Sequence, residues 1–416
     1  MNKTMTDNLK CRFCDYPIKH TFVDLGMSPI ANAYVRKEGE NKMEPFYPLK
    51  VYICEKCFLV QLPSSVSREI IFNDQYAYFS SYSDSWLKHA KDYVEKITER
   101  FRIDSKSKVV ELASNDGYLL QYFKERGVPV LGIEPSGNTA EVAEKKGIPT
   151  IVKFFGVETA KELVSKKEYA DLIIANNVLA HAPDLNDFVG GMKILLKPSG
   201  VITIEFPHLM NLINHNEFDT IYHEHYSYYS YIAVEKIFLR HELEIFDVEE
   251  IATHGGSLRI FIKHKGNSEI NNSERTADLK KKEIGAGFKD LEMYKSFQEK
   301  VKKTKRNLLE FLIKAKEEGK TVIGYGAPAK GNTLLNYCGI RTDLIDYTVD
   351  RSPHKQNCLL PGTHIPIFHP DKIKETKPDY ILILPWNIRK EIMDQMSYVR
   401  EWGGKFIVPI PEVLVC

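Results

Sequence analysis

The sequence has no excess of charge of either sign and no long apolar run. Lysine and arginine together number 57, and aspartate and glutamate 56, which leaves a net charge of +1. Such a balance is not typical of proteins that bind nucleic acid or an anionic membrane surface, and we expect neither partner. The longest apolar runs, Val201–Phe206 and Tyr380–Pro385, are strand-sized and fall far short of the roughly 18 residues of a membrane span.

Repeats and low-complexity tracts are also missing, and we expect no signal peptide. The first ten residues, MNKTMTDNLK, are polar and lack an apolar core and a cleavage site. Hydrophobic residues make up 43% of the chain and charged residues 27%, as in ordinary globular proteins. We therefore expect a soluble, cytoplasmic protein, and a monomer. At roughly 100 to 200 residues per domain, 416 residues predict two to four domains.

Cysteine is sparse, but four of the seven cysteines form two CxxC pairs. Cys11 and Cys14 are followed, after 39 intervening residues, by Cys54 and Cys57. A CxxC turn points both sulfurs to one side, so two pairs can supply the four tetrahedral thiolates that zinc prefers. A four-thiolate shell leaves no open position, which favours a structural zinc. Four free thiols in a packed module and, more weakly, a redox CxxC would also fit the spacing.

The composition and the hydrophobic pattern of the chain change twice, which predicts three parts and an α/β fold class. Residues 1–70 carry the cysteines and form a small zinc-binding module. Residues 71–265 alternate helical and strand patterns, as a class I (Rossmann-like) domain does. Residues 266–416 begin with a charge-dense helical linker, in which Asn271 to Lys320 predicts one or two surface helices. The linker leads into a C-terminal Rossmann-like α/β domain with strands at Thr321–Tyr325, Leu344–Val349 and Tyr380–Leu384.

The central region has polar residues at the ends of three predicted strands. The strand Lys108–Ala113 leads into the turn Ser114–Gly117, the strand Val130–Ile133 ends at Glu134, and the strand Asp171–Ala175 ends at Asn176. Ligands of doubly wound sheets bind at the carboxyl ends of the strands, and a carboxylate after the second strand fits a ribose diol.

The first turn is acidic and has one glycine instead of the three of a dinucleotide turn. An acidic turn would repel a pyrophosphate but suits the sulfonium and ammonium groups of S-adenosylmethionine. Alternatively, Glu134 and Asn176 only cap helices or turns. The candidate cofactor residues are Glu111, Ala113, Ser114, Asn115, Asp116, Gly117, Glu134, Pro135, Asn138, Asn176 and Asn177.

Five motifs together resemble the nucleotide-sugar C-methyltransferases, which methylate C-3 of a 4-keto-6-deoxyhexose. They are ELASNDGYLL, GIEPSGN, the two CxxC pairs, YHEHYSYYS and GYGAPAKGN, and the resemblance runs from Cys11 to about Pro411. It implies a zinc-binding module, a central S-adenosylmethionine domain and a C-terminal α/β domain that helps to hold the nucleotide sugar. A substrate linked to thymidine diphosphate is expected.

Carbon methylation beside a ketone needs a base and a stabilised enolate, and residues 222–226 (YHEHY) offer the residue types for both. The resemblance implies that His225 is the base, that Tyr222 donates to the C-4 oxygen, and that Glu224 and Tyr76 contact sugar hydroxyls. In an extended run the histidine and the carboxylate would face opposite ways, so we expect a turn here. His181 is the rival base. The two histidines of the motif, His223 and His225, could also be packing residues only, or could belong to an iron site.

Substrate contacts are expected from three further segments. Residues 74–82 are polar and aromatic and could close over a sugar, or could be a packed linker. A Gly-Gly turn precedes an arginine that could meet a phosphate, or could be exposed at a hairpin. The turn 324–332 suits an anion at a helix N-terminus, although a domain without ligand would have the same pattern. The candidates are Tyr76, Ser80, Tyr82, His254, Arg259, Lys330, Asn332, Arg351 and His354.

The sequence therefore predicts an S-adenosylmethionine-dependent C-methyltransferase. The nearest alternative is an O-methyltransferase acting on the same class of substrate, which needs no enolate. An NAD-dependent sugar oxidoreductase that uses the turn at Gly324 is the second. A non-catalytic zinc module that binds nucleic acid is the third, and the neutral charge speaks against it.

Overall fold

A computed structural model describes residues 9–74, 76 and 78–416. The chain divides into two compact units whose segments alternate along the sequence. The first unit consists of residues 9–20, Ile53–Leu209 and Tyr226–Asp290. The second unit consists of Thr21–Tyr52, Met210–His225 and Leu291–Cys416. Within the described ranges, no helix is both long enough and apolar enough to cross a membrane.

The strands are short in the N-terminal part and longer in the central part. In chain order they are β1 (His20–Ser28), β2 (Val35–Arg36), β3 (Tyr47–Ile53), β4 (Val60–Gln61), β5 (Val109–Leu112), β6 (Val130–Ile133), β7 (Thr150–Ile151), β8 (Ala170–Asn176), β9 (Leu196–Pro207), β10 (Ser227–Tyr228), β11 (Leu243–Ile251), β12 (Ser257–His264), β13 (Val322–Tyr325), β14 (Thr348–Val349), β15 (Cys358–Leu359), β16 (Ile367–Phe368), β17 (Tyr380–Ile383), β18 (Lys405–Val408) and β19 (Leu414–Val415).

The α-helices come between these strands, singly or in succession. They are α1 (Arg68–Ile71), α2 (Asp84–Phe101), α3 (Leu120–Glu125), α4 (Gly137–Lys145), α5 (Val157–Ser165), α6 (Leu185–Leu195), α7 (Leu209–Asn214), α8 (Tyr231–Arg240), α9 (Glu274–Gly285), α10 (Leu291–Lys295), α11 (Phe297–Glu317), α12 (Ala329–Cys338), α13 (Lys372–Thr376) and α14 (Arg389–Gln395).

The first unit is built on a seven-stranded sheet in the order β11-β12-β9-β8-β5-β6-β7. Strands β5 to β9 are parallel to one another, whereas β12 and β11 form an antiparallel edge beside β9. Every residue of β5 is buried, as expected of a central parallel strand that is covered on both faces. The amphipathic helix α2 buries Ala90, Val94 and Ile97 in the core beside this sheet. The Rossmann-like topology predicted for this region is therefore confirmed.

The second unit contains a six-stranded sheet in the order β16-β14-β13-β17-β18-β19, which is parallel except at β19. The strands predicted near residues 321–325 and 380–384 are confirmed. The strand predicted over Leu344–Val349 is wrong for its first four residues and is present only as β14. The amides of Leu344 and Ile345 turn back to the carbonyl of Arg341 at 3.0 Å, so the chain cannot be extended there.

The charged linker forms three helices, α9, α10 and α11, where one or two were expected. The longest, α11, buries Val301, Leu308 and Leu312 at helical spacing, and none of its lysines is buried. A short pair, β4 with β10, joins the second CxxC region to residues 227–228 within the first unit. In the second unit, β2 pairs with β15.

Candidate functional site

The four CxxC cysteines converge in the first unit. Their sulfurs all lie within 4.8 Å of one another, with Cys11 and Cys57 3.5 Å apart and Cys14 and Cys54 3.6 Å apart. Zn–S bonds of about 2.3 Å in a tetrahedron place sulfurs roughly 3.8 Å apart, so the cluster has the size of a zinc site. The cysteine thiolates would be its four ligands, which gives the metal a structural role.

Each CxxC pair lies in a turn, and the two turns have the same hydrogen-bond pattern. The amide of the residue after each pair, Asp15 and Phe58, donates to the carbonyl of the pair's first cysteine at 2.9 and 2.8 Å. Both residues have positive φ angles, 58° and 65°. The side-chain amide of Gln61 also donates to the sulfur of Cys11 at 3.2 Å, a contact that favours a thiolate.

The polar turn after β5 is tightly shaped by its neighbours. Gly117 has a φ of 74°, and a Cβ there would lie 2.4 Å from Ile148, so only glycine fits. Glu134 follows β6 and accepts from the amides of Asn115 and Ser136, both at 2.9 Å. The carboxylate after the second strand is thus fixed against the turn after the first.

Several buried polar atoms at this edge of the sheet have no hydrogen-bond partner in the part of the chain that the structure describes. They are Glu111 Oε2, Ser114 Oγ, Asp116 Oδ1, Asn138 Oδ1, Asn176 Oδ1 and Asn177 Nδ2. Burial, and then the charges of Asp116 and Glu134, raises the pKa of Glu111 well above its usual range, and burial also raises the pKa of Glu134. Buried carboxyl groups with unused acceptors favour a ligand that carries positive charge and hydroxyl donors. S-adenosylmethionine has both.

Residues 76 and 78–82 lie against this turn. The side chain of Asn115 accepts from the Ser80 amide at 2.9 Å and donates to the Tyr78 carbonyl at 3.1 Å, and Asn138 donates to the Tyr76 carbonyl at 2.9 Å. Two predicted cofactor residues therefore hold the backbone of the predicted sugar-binding segment. Ser80 is buried, whereas Tyr82 is exposed.

Two candidate histidines of the first unit differ in their surroundings. His181 ends a 3-10 turn after β8, and its ring lies 5.5 Å from Phe72. His254 has a φ of 55°, and its ring packs 5.1 Å from Trp86. The structure brings His181 to the same sheet edge as Asn176, as the sequence predicts.

Arg259 is buried and pairs with two carboxylates of the protein. The residue is 4% exposed, and its guanidinium donates to Glu205 at 2.6 and 2.8 Å and to Glu249 at 3.1 Å. Although burial opposes it, His89 and Arg259 lower the pKa of Glu205. This is the arrangement of a buried ion pair, and it differs from the phosphate contact expected from the sequence.

In the second unit, residues 222–225 form the turn that the sequence predicts. The amide of His225 donates to the Tyr222 carbonyl at 2.9 Å, and the two rings are 4.1 Å apart. His225 Nδ1 lies 2.8 Å from the Thr220 carbonyl. A carbonyl only accepts, so the proton of the neutral ring is on Nδ1 and Nε2 carries the lone pair. The histidine therefore has the tautomer that a base acting through Nε2 requires.

Glu224 is buried in the same turn, and its Oε1 accepts from the side-chain Nδ2 of Asn32 at 2.6 Å. Asn32 comes from the segment between the two CxxC pairs. Nothing in the local sequence around Asn32 predicts this contact.

The glycine-rich turn after β13 is occupied by the protein's own groups. The amide of Ala327 donates to the Asp350 carboxylate at 2.7 Å, and the Ala327 carbonyl accepts from Lys355 at 3.0 Å and from Tyr34 at 2.5 Å. An anion expected at this amide would compete with Asp350.

The remaining candidates of the second unit are spread around this turn. Lys330 donates to Asn387 at 3.0 Å and lies over the ring of Trp386. Asn332 is buried and donates to the Ala31 carbonyl at 2.6 Å. Arg351 and His354 are exposed.

Two buried acidic residues precede the YHEHY motif in the second unit. Burial, and then the charge of Asp219, raises the pKa of Glu217 to about 8, and burial raises the pKa of Asp219 to about 6. Sequence reasoning missed both residues. The signal that could have found them is their position, three to five residues before Tyr222.

Comparisons with known proteins cover almost the whole chain. Family models described as "Putative zinc binding domain", "Methyltransferase domain" and "C-methyltransferase C-terminal domain" match residues 11–72, 86–248 and 252–411. The chain is 34% identical to C-methyltransferase NovU of Streptomyces niveus over 403 residues, which is 97% of this chain and 96% of that protein.

More distant similarities are confined to parts of the chain. A ubiquinone biosynthesis O-methyltransferase of Rhodopseudomonas palustris (strain BisA53) is 24% identical over 23% of this chain and 38% of its own length. The solved structure of the PH0226 protein of Pyrococcus horikoshii OT3 matches 45% of this chain and 95% of that chain, with a TM-score of 0.38 and 16% identity.

The three-part architecture predicted from the sequence is confirmed by the family models and the sheets. The two predicted cofactors, S-adenosylmethionine and structural zinc, are confirmed with it, and the cysteine cluster and the acidic sheet edge are the places that fit them.

Proposed function

Because this chain belongs to the C-methyltransferase family, we propose that it methylates C-3 of a nucleotide-linked 4-keto-6-deoxy sugar through an enolate. The observation that supports the proposal most directly is the turn at Tyr222 and His225, in which the imidazole lies beside a phenol and its Nδ1 faces a carbonyl. A carbon acid beside a ketone needs this pair of groups, whereas transfer to a hydroxyl does not.

In the proposed reaction, Nε2 of His225 takes the proton from C-3. The electron pair of that C–H bond forms the enolate, whose C-4 oxygen accepts a hydrogen bond from Tyr222. Bound S-adenosylmethionine supplies the methyl group. The new bond joins this methyl carbon to C-3, the S–CH3 bond breaks with its electrons on sulfur, and the ketone is restored.

The other residues bind and orient. Glu134 would hold the ribose hydroxyls, and Asp116 with the buried acceptors of Ser114 and Asn176 would hold the cationic part of the methyl donor. Glu224, fixed by Asn32, would accept from a sugar hydroxyl. Tyr76 is proposed as a second hydroxyl contact and His181 as the rival base. Thymidine diphosphate, attached at C-1 of the sugar, is the proposed carrier.

Proton abstraction and methyl transfer can be tested separately. With a thymidine-diphosphate 4-keto-6-deoxyhexose in D2O, and without methyl donor, the protein should exchange the C-3 proton for deuterium. Addition of S-adenosylmethionine should then give a methyl group on C-3, located by proton–carbon NMR. A methyl group on oxygen would select the O-methyltransferase alternative.

The residue assignment is tested with His225→Asn, and His369→Asn serves as the matched control because His369 is an exposed histidine of the same unit. His225→Asn should lose both deuterium exchange and methylation by at least about 100-fold, within the usual contribution of a general base. His369→Asn should keep both. Full activity in His225→Asn would transfer the role of base to His181.

A further inference from the structure

The carbonyl that sets the tautomer of His225 belongs to a 3-10 turn, Phe218–Thr220, that is itself held from outside. The turn is buried along its whole length. Its neighbours are side chains more than 100 residues later in the sequence, in segments that connect strands of the C-terminal sheet. These contacts all lie within the second unit.

Two hydrogen bonds fix the turn on either side of Thr220. On one side, the indole N–H of Trp386 donates to Oδ2 of Asp219 at 2.7 Å. On the other, the hydroxyl of Thr333 donates to the carbonyl of Ile221 at 2.9 Å. Trp386 is 6% exposed, Thr333 2% and Asp219 0%, so water does not compete for either bond.

Apolar packing and position support the same assignment. The ring of Phe218 packs edge-on against Tyr337 of α12 at 5.5 Å. Thr333 lies in α12, which follows β13, and Trp386 follows β17, so both come from the carboxyl ends of parallel strands. This is the edge of such a sheet where functional groups collect.

We propose that Trp386 and Thr333 are positioning residues that hold the Thr220 carbonyl in place and thereby keep His225 in its Nδ1–H tautomer. The inference rests on the proposed role of His225 as the base. Without the two bonds, the Asp219 carboxylate loses its indole donor and the Ile221 carbonyl loses its hydroxyl donor. The turn then relaxes, and the ring loses the acceptor that selects Nδ1–H. The base would then be present in part as the wrong tautomer.

The tautomer can be measured without substrate. In protein labelled with 15N-histidine, long-range proton–nitrogen NMR distinguishes a protonated Nδ1 from a protonated Nε2, and the signal of His225 is assigned by its loss in His225→Asn. The wild-type protein should show Nδ1–H. Trp386→Phe, which keeps an aromatic ring but removes the donor, should show a mixture of tautomers.

A matched control comes from the same unit. The indole N–H of Trp402 donates to the Pro378 carbonyl at 3.0 Å, so Trp402→Phe removes the same kind of bond without touching the turn. Trp402→Phe should leave the His225 signal unchanged. Asp219→Asn keeps an oxygen acceptor for Trp386 and should retain Nδ1–H, whereas Asp219→Ala should not.

Kinetics give a second readout that loss of fold would not imitate. Trp386→Phe and Thr333→Val should each lower kcat for C-3 exchange by about 10-fold and leave KM within about twofold, and neither should have a further effect in the His225→Asn background. If both variants keep the Nδ1–H signal and full kcat, the proposal is wrong. If His225→Asn remains active, the role of the base fails instead, and the NMR comparison still decides whether the turn is held as proposed.

Discussion

The buried carboxyl group of Glu217 should make the protein less stable as the pH rises, and Glu217→Gln should remove that dependence. Glu217 is 1% exposed, and the half-exposed ring of His215 lies 3.5 Å from its Oε1, too far for a strong hydrogen bond. Burial, and then the charge of Asp219, raises its pKa to about 8, from a reference of 4.5 in the unfolded chain. The folded state therefore holds the proton more tightly than the unfolded state.

The sign and size follow from proton linkage. Where the native state binds more protons, the free energy of unfolding falls with pH, here from about pH 4.5 up to about pH 8. Each pH unit within this window costs about 1.4 kcal/mol, and the slope flattens as the pKa is reached. Between about pH 6 and pH 8 the loss comes to about 2 kcal/mol. Asp219 has a pKa of about 6, so most of its own effect on the free energy of unfolding falls below this pH range.

The assay is urea unfolding at about pH 6, 7 and 8, followed by tryptophan fluorescence. Glu217→Gln should gain about 2 kcal/mol more, relative to the wild-type protein, at about pH 8 than at about pH 6. The comparison between two pH values cancels any fixed cost of burying an amide. Glu141→Gln is the control, because Glu141 is exposed beside Lys145, and its effect should not change over this range. Equal pH slopes in Glu217→Gln and the wild-type protein would refute the reasoning.

Two further predictions concern the first unit. A strong chelator should release one zinc ion per chain, measured by elemental analysis, and should lower the unfolding temperature. The affinity for S-adenosylmethionine, measured by calorimetry, should change by less than about twofold. Loss of S-adenosylmethionine binding would show that the metal supports more than its own module. Arg259→Met should destabilise the protein by about 3 to 5 kcal/mol, because it leaves Glu205 buried beside His89 without its guanidinium partner. The double variant Arg259→Met with Glu205→Leu should recover most of this loss. A raised KM for the nucleotide sugar with unchanged stability would instead show that Arg259 binds the phosphate.

The sequence predicted those parts of the fold that depend on local pattern. The two CxxC pairs, the strands around 109–112 and 130–133 and the turn before Gly117 could be found because spacing and alternation fix them. The turn within YHEHY could be expected from the chemistry that its residues would perform. The strands and turns needed only residues close together in the chain, and the two CxxC pairs, separated by 39 residues, needed only the preference of zinc for four thiolates.

What could not be predicted depends on partners far apart in the sequence. The phosphate contact predicted for Arg259 is wrong, because Glu205 and Glu249 face it across neighbouring strands, which the sequence does not show. The glycine-rich turn seemed open to an anion because the sequence does not show that Asp350, 23 residues after Ala327, returns to its amide. Asn32 and Trp386 gave no local signal at all. In each case a polar group had found its partner within the fold.

The alternation of the two units along the chain has a consequence for how the protein is made. Residues 21–52 emerge early, yet their compact unit is completed only by Met210–His225 and Leu291–Cys416. Residues 53–416 number 364, and at about 5 to 20 residues per second their synthesis takes roughly 20 to 70 s. Throughout that interval, the cysteine pairs at 11–14 and 54–57 bracket a segment without its neighbours. A zinc ion bound early would join the two cysteine pairs and close this segment into a loop, which reduces the conformational entropy that the segment must lose when its neighbours arrive.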